Sequence, residues 1–459
     1  MISAGNQTPL TISQRRRLRD VLQSLDAEGE GAEAYALIKE LYPICRSITG
    51  DGLRRSLRLL KERIPVQLHE VPTGTQVFDW LIPKEWNIRD AYIKNSAGER
   101  IVDFRQNNLH VVGYSVPIRR TMRLAELEPH LFSLPDSPDW IPYRTSYYKE
   151  TWGFCLSKRQ LENLQDGEYE VCIDSSLEPG HLTYAEYHIQ GETDDEVLVS
   201  SHSCHPSLCN DNLSGMCVAA RLAYLLGNAA LRYSYRFLWL PATIGSITWL
   251  ARNEAILPRI KHGLVLSCLG DPGAFTYKRS RHGNAEVDRA VEYVLKRSEE
   301  PFKILDFAPY GYDERQYCSP GIDLRVGCFM RTPNGRYSQY HTSADDLTFV
   351  TPLALGESLQ KLLAIIEVFE CNGRYVNLKP KCEPQLARRG LYRQIGGIKD
   401  AALDELAILW VLSFSDGRHE LLDIAARSGI PIAQLSAAKD ALRQANLLAD
   451  AEDRLERIT

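Results

Sequence analysis

The chain has 459 residues, of which 44% are hydrophobic and 25% charged, a composition typical of a folded protein with more than one domain. Its 54 basic and 59 acidic residues give a net charge of −5, which excludes an overall positive field for binding nucleic acid or anionic lipid. No segment approaches the roughly 20 apolar residues of a membrane span, and no apolar signal segment follows Arg15–Arg17. The eleven cysteines lack the spacing of a disulfide scaffold, so we expect a cytoplasmic protein without membrane contact.

The first half of the chain predicts two regions. Residues 1–76 contain helical periodicity between Glu33 and Ile64 and then a strand from Val66 to Val71, which we assign to the start of the main domain. Residues 77–177 contain short aromatic-rich stretches separated by turns, which indicates a small β-rich inserted domain. We expect most of its aromatic side chains to pack in its own core.

Residues 178–380 predict the main part of an α/β domain. Apolar helices at Leu213–Leu226 and Ala285–Arg297 separate four strand candidates, Leu182–Ile189, Val197–Ser201, Tyr235–Leu240 and Gly263–Ser267. This alternation predicts a mostly parallel, covered sheet, in which ligand sites lie beyond the carboxyl ends of the strands.

The last part of the chain predicts a separate helical module. After a long helix at Leu353–Phe369, the segment Asn372–Gly397 has the composition of a linker. Residues 385–459 then have the proportions of a winged helix, with helices at Ala401–Phe414, Leu421–Ser428 and Ile432–Leu448. The presumed recognition helix offers only Lys439 and Arg443 as basic residues, so we expect packing, homo-oligomer formation or gating rather than DNA binding.

Polar residues that could carry chemistry occur in three clusters. The first contains His202, His205 and Asp211, the second is Asp271 after an apolar strand, and the third includes His341 in a loop. Imidazole and carboxylate groups are ligands that zinc takes. Taken singly, however, Asp211 could be a helix cap, Asp271 a turn residue and His341 a solvated loop residue.

Several short motifs resemble those of a known family. They are Cys204-His-Pro-Ser, Asn210-Asp-Asn-Leu-Ser-Gly, Gly270-Asp-Pro-Gly, Asp313-Glu-Arg-Gln-Tyr-Cys-Ser-Pro-Gly, Met330-Arg-Thr-Pro and Tyr340-His-Thr-Ser-Ala-Asp. They resemble a bacterial aminopeptidase-like family of the zinc aminopeptidase and glutaminyl cyclase superfamily. The resemblance implies a three-layer α/β sandwich with a β-rich inserted domain and a C-terminal winged helix. It also implies hydrolysis of a peptide or amide bond in a small substrate with one or two zinc ions.

The resemblance also implies a set of metal ligands. Asp211 would bridge two zinc ions, Asp271 and one histidine would bind the first ion, and His341 would bind the second. The first histidine is either His202, directly after its strand, or His205, in the Cys-His-Pro-Ser motif. We prefer His205 as the ligand, which makes His202 a substrate contact.

Other residues receive roles near the reacting bond. Arg315 or Tyr312 would stabilise the oxyanion that forms when water attacks a carbonyl. Asp313 and Glu314 are candidate substrate-binding residues, because recognition of a free amine usually needs an acid near the metals.

Ala242 departs from the family pattern at the position of a catalytic glutamate. Alanine can neither accept a proton nor bind zinc. The site could have decayed, the residue could have been substituted to trap a ligand, or another acid such as Glu254 or Glu314 could replace the glutamate. The sequence therefore predicts a weakened or inactive hydrolase, with a non-catalytic ligand-binding protein or a winged-helix regulator as the alternative.

Overall fold

The computed structural model describes residues 15–391 and 405–451. They form two compact units, one comprising residues up to 288 together with 299–362, and the other comprising 289–298 together with residues from 363 onward. Three predicted features lie partly outside the described residues. They are the start of the helix at Ala401, the end of the linker, and the N-terminal segment that we expect to lack a signal sequence.

An eight-stranded sheet forms the centre of the first unit. In chain order its strands are β1 (Gln67–Pro72), β2 (His181–Ile189), β3 (Glu196–His202), β4 (Ser234–Leu240), β5 (Ile260–Leu266), β6 (Phe275–Lys278), β7 (Phe302–Leu305) and β8 (Val326–Met330). Their spatial order is β7-β6-β8-β5-β3-β4-β2-β1. The four central strands, β8, β5, β3 and β4, run parallel, whereas β1, β2 and β6 make antiparallel contacts.

The parallel strands are apolar because helices cover both faces of such a sheet. Every residue of β3 and β8 is buried. Trp239 on β4 is fully buried, and its indole nitrogen donates to the Met216 carbonyl oxygen at 3.0 Å, so the buried polar group is satisfied. This packing fixes the carboxyl ends of β3, β4 and β5 as neighbours.

Helices of the first unit connect and cover these strands. The α-helices are Leu18–Gln23, Ala27–Leu41, Asp51–Lys61, Leu124–Leu127, Lys158–Glu162, Gly215–Gly227, Ile244–Arg252 and Glu314–Tyr317, with Glu286–Arg297 and Pro352–Cys371 continuing into the second unit. Gly215 lets its helix approach β5 closely, since a Cβ atom there would lie 2.6 Å from the Leu266 carbonyl oxygen. No helix in residues 15–391 or 405–451 is both long and apolar enough to cross a membrane.

A second sheet occupies the region predicted as the inserted domain. Four antiparallel strands pair in the order Arg100–Asp103, Glu85–Lys94, Glu168–Glu178 and Ile118–Arg123. Shorter strand pairs join Gln76–Val77 to Trp80–Leu81, and Leu131–Phe132 to Phe154–Cys155. A further pair joins Arg16–Arg17 to Ala229–Ala230 within the main part of the unit.

The second unit combines three helices with a small sheet. Its helices are Glu405–Phe414, Leu421–Ser428 and Ile432–Gln444. Its three antiparallel strands are Arg374–Asn377, Asp416–Glu420 and Leu448–Asp450, with Arg374–Asn377 in the middle. The strand Arg374–Asn377 lies inside the segment predicted as a linker, which therefore begins with ordered structure.

Candidate metal centre

The candidate site lies at the carboxyl edge of the central sheet, where the alternating pattern predicts it. β3 ends at His202, and His205 lies in the loop that follows. A short π-helical segment, Cys209–Ser214, contains Asp211. Ala242 follows β4, and Asp271 follows β5. Parallel neighbours bring these loops together.

Asp211 is the centre of the cluster. Its carboxylate oxygen Oδ1 lies 2.8 Å from His202 Nε2, and Oδ2 lies 2.9 Å from His341 Nε2 and 3.3 Å from His205 Nδ1. Asp211 and His202 are buried, whereas a third of the His341 side chain is exposed. Donor atoms of His202, His205 and Asp211 lie within 4.8 Å of one another. The structure thus brings four of the predicted site residues together, including both candidate histidines.

The charges of the cluster follow from this geometry. Burial lowers the pKa of His202. Burial alone would also lower the pKa of His205, but attraction to Asp211 raises it above its ordinary value. Burial disfavours the Asp211 carboxylate, yet His205, His202 and His341 together hold its pKa well below the usual range. Asp211 is therefore an anion that needs cationic or donor partners on both oxygens.

Two buried side chains hold the backbone of this loop through three hydrogen bonds. The buried Asp345 carboxylate accepts hydrogen bonds from the backbone nitrogens of Asn210 and Asp211, at 2.6 and 3.0 Å. The buried Arg46 guanidinium donates to the carbonyl oxygen of His205 at 2.9 Å. Sequence reasoning gave neither residue a role, although Asp345 lies in the same motif as His341.

The Asn212 side chain links the first histidine to the next strand. Its Nδ2 lies 3.2 Å from His202 Nδ1 and 3.0 Å from Ser201 Oγ, while its Oδ1 accepts from the backbone nitrogen of Cys268 at 3.2 Å. Groups that contact the second nitrogen of a ligand histidine fix its orientation.

Asp271, predicted as a ligand, has its carboxylate directed elsewhere. Its Oδ1 accepts from Thr332 Oγ1 at 2.6 Å and from the Gly273 nitrogen at 2.8 Å. Its Oδ2 accepts from Asn210 Nδ2 at 3.0 Å and from the Thr332 nitrogen at 3.2 Å. Four protein donors thus saturate this buried carboxylate, and it does not join the group formed by His202, His205 and Asp211.

Ala242, at the position where the resemblance implies a glutamate, presents only a methyl group. The thiol of Cys204, next to His205, lies 3.9 Å from the Ala242 carbonyl oxygen. Of the acids that could replace the glutamate, Glu254 is exposed in a 3₁₀ helix. Glu314 is fully buried and forms an ion pair with Lys278. Neither carboxylate joins the group formed by His202, His205 and Asp211 in the described part of the chain.

Asp313 is fully buried and contacts the helix Ile244–Arg252. Its Oδ1 accepts from Ser246 Oγ at 2.9 Å, and its Oδ2 has no hydrogen-bond partner in the part of the chain that the structure describes. Burial raises the pKa of Asp313 to about 7, with His205 acting in the opposite direction.

Aromatic rings line the cluster on two sides. The Tyr312 ring stacks on His202 with centroids 4.9 Å apart, and its hydroxyl lies 3.0 Å from Cys268 Sγ. Tyr143, from the inserted region, contacts the rings of His205 and His341 with centroids 5.2 and 5.1 Å away.

The Tyr143 backbone nitrogen also donates to the His341 carbonyl oxygen at 2.8 Å, so the insert is attached directly to the histidine loop. Burial raises the pKa values of Tyr312 and Tyr143 well above 10, which keeps both phenols neutral. Nothing in the sequence pattern distinguishes Tyr143 from the other aromatic residues of the insert.

Arg315, predicted to stabilise an oxyanion, lies on the short helix Glu314–Tyr317 next to Asp313. Its Nε is buried without a hydrogen-bond partner among the described residues. Its positive charge lowers the pKa of Asp313, against the larger effect of burial, which raises it.

These residues fit a zinc site by the chemistry of their donors. A fully buried carboxylate with three imidazole nitrogens around it presents the oxygen and nitrogen ligands that zinc prefers. The held backbone and the amide contact to His202 supply the outer support that such ligands usually have.

Comparisons with known proteins agree with this architecture. A family model described as a domain of unknown function, DUF4910, matches residues 35–372, and a winged helix-turn-helix model matches residues 373–450. A Clostridium acetobutylicum protein is 52% identical over 418 residues, which cover 91% of this chain and 96% of that protein. Its provisional name combines polysaccharide biosynthesis with an aminopeptidase-like domain.

Two solved structures define the fold. A crystal structure from Clostridium acetobutylicum, provisionally named a peptidase, matches with a TM-score of 0.88 at 49% identity, covering 96% of this chain and 100% of that chain. BSAP, a zinc aminopeptidase from Bacillus subtilis, matches with a TM-score of 0.54 at 13% identity, covering 73% and 94%. The predicted fold is thereby confirmed, and the chain belongs to the DUF4910 family, with the aminopeptidase-like α/β fold followed by a C-terminal winged helix.

Proposed function

We propose that this protein is a zinc-dependent hydrolase of a peptide or amide bond in a small substrate, with activity reduced by Ala242. The observation that carries the proposal is the buried Asp211 carboxylate, which faces nitrogens of His202, His205 and His341. The aminopeptidase-like relatives support the reaction class. The name of the Clostridium relative supports a substrate from polysaccharide biosynthesis.

The four cluster residues would hold one or two zinc ions. Zinc there would act as a Lewis acid toward a carbonyl oxygen and would make water more acidic. Asp211 would bridge the two halves of the cluster, with His202 on Oδ1 and the other two histidines on Oδ2. We leave Asp271 out of the proposed ligand set and include both His202 and His205, because four protein donors already contact the Asp271 carboxylate.

Neighbouring residues would position and stabilise the substrate. Tyr312, as a neutral phenol beside His202, would donate a hydrogen bond to the developing oxyanion, and Arg315 would contribute positive charge. Tyr143 would exclude water above His205 and His341. Glu314 forms an ion pair with Lys278, so we propose that it supports the substrate pocket electrostatically instead of binding an amine directly.

The absence of a glutamate at position 242 favours a second candidate, a protein that binds its ligand without turnover. Metal analysis and restoration of the carboxylate distinguish the two. We expect purified protein to contain one or two zinc ions, and the Ala242→Glu variant to hydrolyse aminoacyl p-nitroanilides or dipeptides at least 10²-fold faster than the parent chain. Zinc-loaded protein that stays inactive in both forms across a broad amide panel would support the binding protein instead.

The setting of the protein is also a proposal. All eleven cysteines are free thiols, which supports a reducing, cytoplasmic location. In the winged-helix unit, Lys439 pairs with Asp440 and Arg443 pairs with Asp450, both at 2.8 Å. Because acids of the same unit neutralise these basic residues, we propose that it does not bind nucleic acid. A salt-dependent gel shift with duplex DNA would contradict this.

A further inference from the structure

Asp313 has an unusual environment for a buried acid. It is fully buried, and only Oδ1 has a hydrogen-bond donor, the Ser246 hydroxyl at 2.9 Å. Leaving the other oxygen, Oδ2, without a partner costs roughly 1–3 kcal/mol. A native structure that retains such an atom invites a functional explanation.

The position of Asp313 connects it to the missing glutamate. Ser246 lies in the first turn of the helix Ile244–Arg252, which begins two residues after Ala242, and its hydroxyl also lies 2.8 Å from the Thr243 carbonyl oxygen. The Cys204 thiol, next in sequence to the cluster residue His205, lies 3.9 Å from the Ala242 carbonyl oxygen. Asp313 thus contacts the helix that follows Ala242, and the residue before it, Tyr312, stacks on His202 of the cluster.

Other nearby acids are already occupied. Glu314 is paired with Lys278, and Asp345 holds two backbone nitrogens of the Asp211 loop. Asp271 accepts four protein donors. Glu314 also has carboxylate oxygens without a hydrogen-bond donor, but its charge is paired with Lys278. Among these four acids, Asp313 is the one that combines an unpartnered oxygen with no ion pair in the described part of the chain.

We propose that Asp313 is the proton acceptor of the site in this chain, replacing the carboxylate absent at position 242. The inference rests on the proposed hydrolase function. In the step, a water O–H bond breaks and the proton passes to Asp313 Oδ2, while the water oxygen bonds to the substrate carbonyl carbon. The C–N bond then breaks, and the proton passes from Asp313 to the leaving nitrogen, so that the products are an acid and an amine.

The acidity of Asp313 suits this exchange. Its pKa of about 7 is close to neutral pH, where a general base accepts and returns a proton most effectively. Burial raises this pKa, whereas the hydrogen bond from Ser246 and the positive charge of Arg315 lower it.

The test compares Asp313→Asn with the parent chain and with Glu254→Gln, an exposed control. Aminoacyl p-nitroanilides and dipeptides serve as substrates, and bound zinc is measured in every variant. We expect slow turnover by the parent, a 10²–10⁴-fold lower kcat in Asp313→Asn with unchanged KM and zinc content, and no change in Glu254→Gln. The acid limb of the parent pH profile should lie near pH 7 and disappear in Asp313→Asn.

A double variant separates a catalytic role from a structural one. Adding Ala242→Glu to Asp313→Asn should restore turnover if only a proton acceptor was lost. Unchanged kcat in Asp313→Asn would overturn the inference. A parent chain without turnover would also overturn it if the Ala242→Glu variant is active. That second outcome would leave the proposed hydrolase function intact. Absence of zinc and of activity from both the parent and Ala242→Glu would instead defeat the proposed function itself.

Discussion

Replacing Asp211 with asparagine should remove zinc binding while leaving the fold in place. Asparagine keeps the shape of the side chain but loses the negative charge that three imidazoles face. A neutral amide is a weak ligand, so the variant should lose the stabilisation that zinc gives the folded protein. At a free zinc concentration of 100 times the dissociation constant, that stabilisation is about 2.7 kcal/mol. For a domain of this size it corresponds to a shift in melting temperature on the order of 5 °C.

The assay is a zinc titration followed by thermal melting and by elemental analysis, with Asp271→Asn as the matched control. Asp271 is equally buried, but its four hydrogen-bond donors come from the protein. We expect Asp271→Asn to be less stable by about 1–3 kcal/mol, since an amide nitrogen would face donors, yet to keep its zinc.

Asp211→Asn should show the opposite pattern, with lost zinc and no zinc-dependent shift in melting temperature. Full zinc content in Asp211→Asn, or loss of zinc in Asp271→Asn alone, would refute the assignment of the cluster.

Three further predictions concern acids elsewhere in the chain and the inserted region. The free energy of unfolding that Asp313 contributes should fall as pH rises from about 4 to about 7, because its folded pKa of about 7 exceeds its ordinary value of 3.8. The effect should reach up to about 4 kcal/mol in denaturant titrations across this range, and it should be absent from Asp313→Asn. Glu420→Ala should destabilise the winged-helix unit by about 2 kcal/mol in melting experiments, since Glu420 accepts from Arg289 and Arg374, and Glu420→Gln should lose less. Tyr143→Ala should weaken zinc-dependent substrate binding by exposing His341, whereas Tyr143→Phe, which keeps the ring, should retain most of it in a calorimetric titration.

The sequence predicted the central strands well because their pattern is physically unambiguous. The predicted strand Val197–Ser201 lies inside the observed Glu196–His202, and Tyr235–Leu240 lies inside Ser234–Leu240. Strands buried on both faces are continuous apolar runs with turn residues at their ends. In contrast, the edge strand Phe302–Leu305 alternates half-buried and exposed residues over only four positions, so its pattern resembles a loop.

The sequence indicated which residues would form the candidate site better than it indicated what each side chain contacts. The order of motifs indicated His202, His205, Asp211 and His341, and the structure brings their side chains together. Asp271 fitted the same order, but the direction of a side chain depends on its local donors, which the motif does not encode. The proposed roles and the division into regions at residues 76, 177 and 380 stay predictions.

The surroundings of Ala242 bear on the proposed loss of a carboxylate at this position. A site released from its function should accumulate changes in the groups that only position others. Here Asp345 still holds two backbone nitrogens of the ligand loop, Arg46 still holds the His205 carbonyl, and Asn212 still contacts His202. A buried polar group lowers the stability of the fold unless its hydrogen bonds are made. The intact contacts around the cluster therefore argue against simple decay of the proposed metal site, in which Asp313 would act as the proton acceptor.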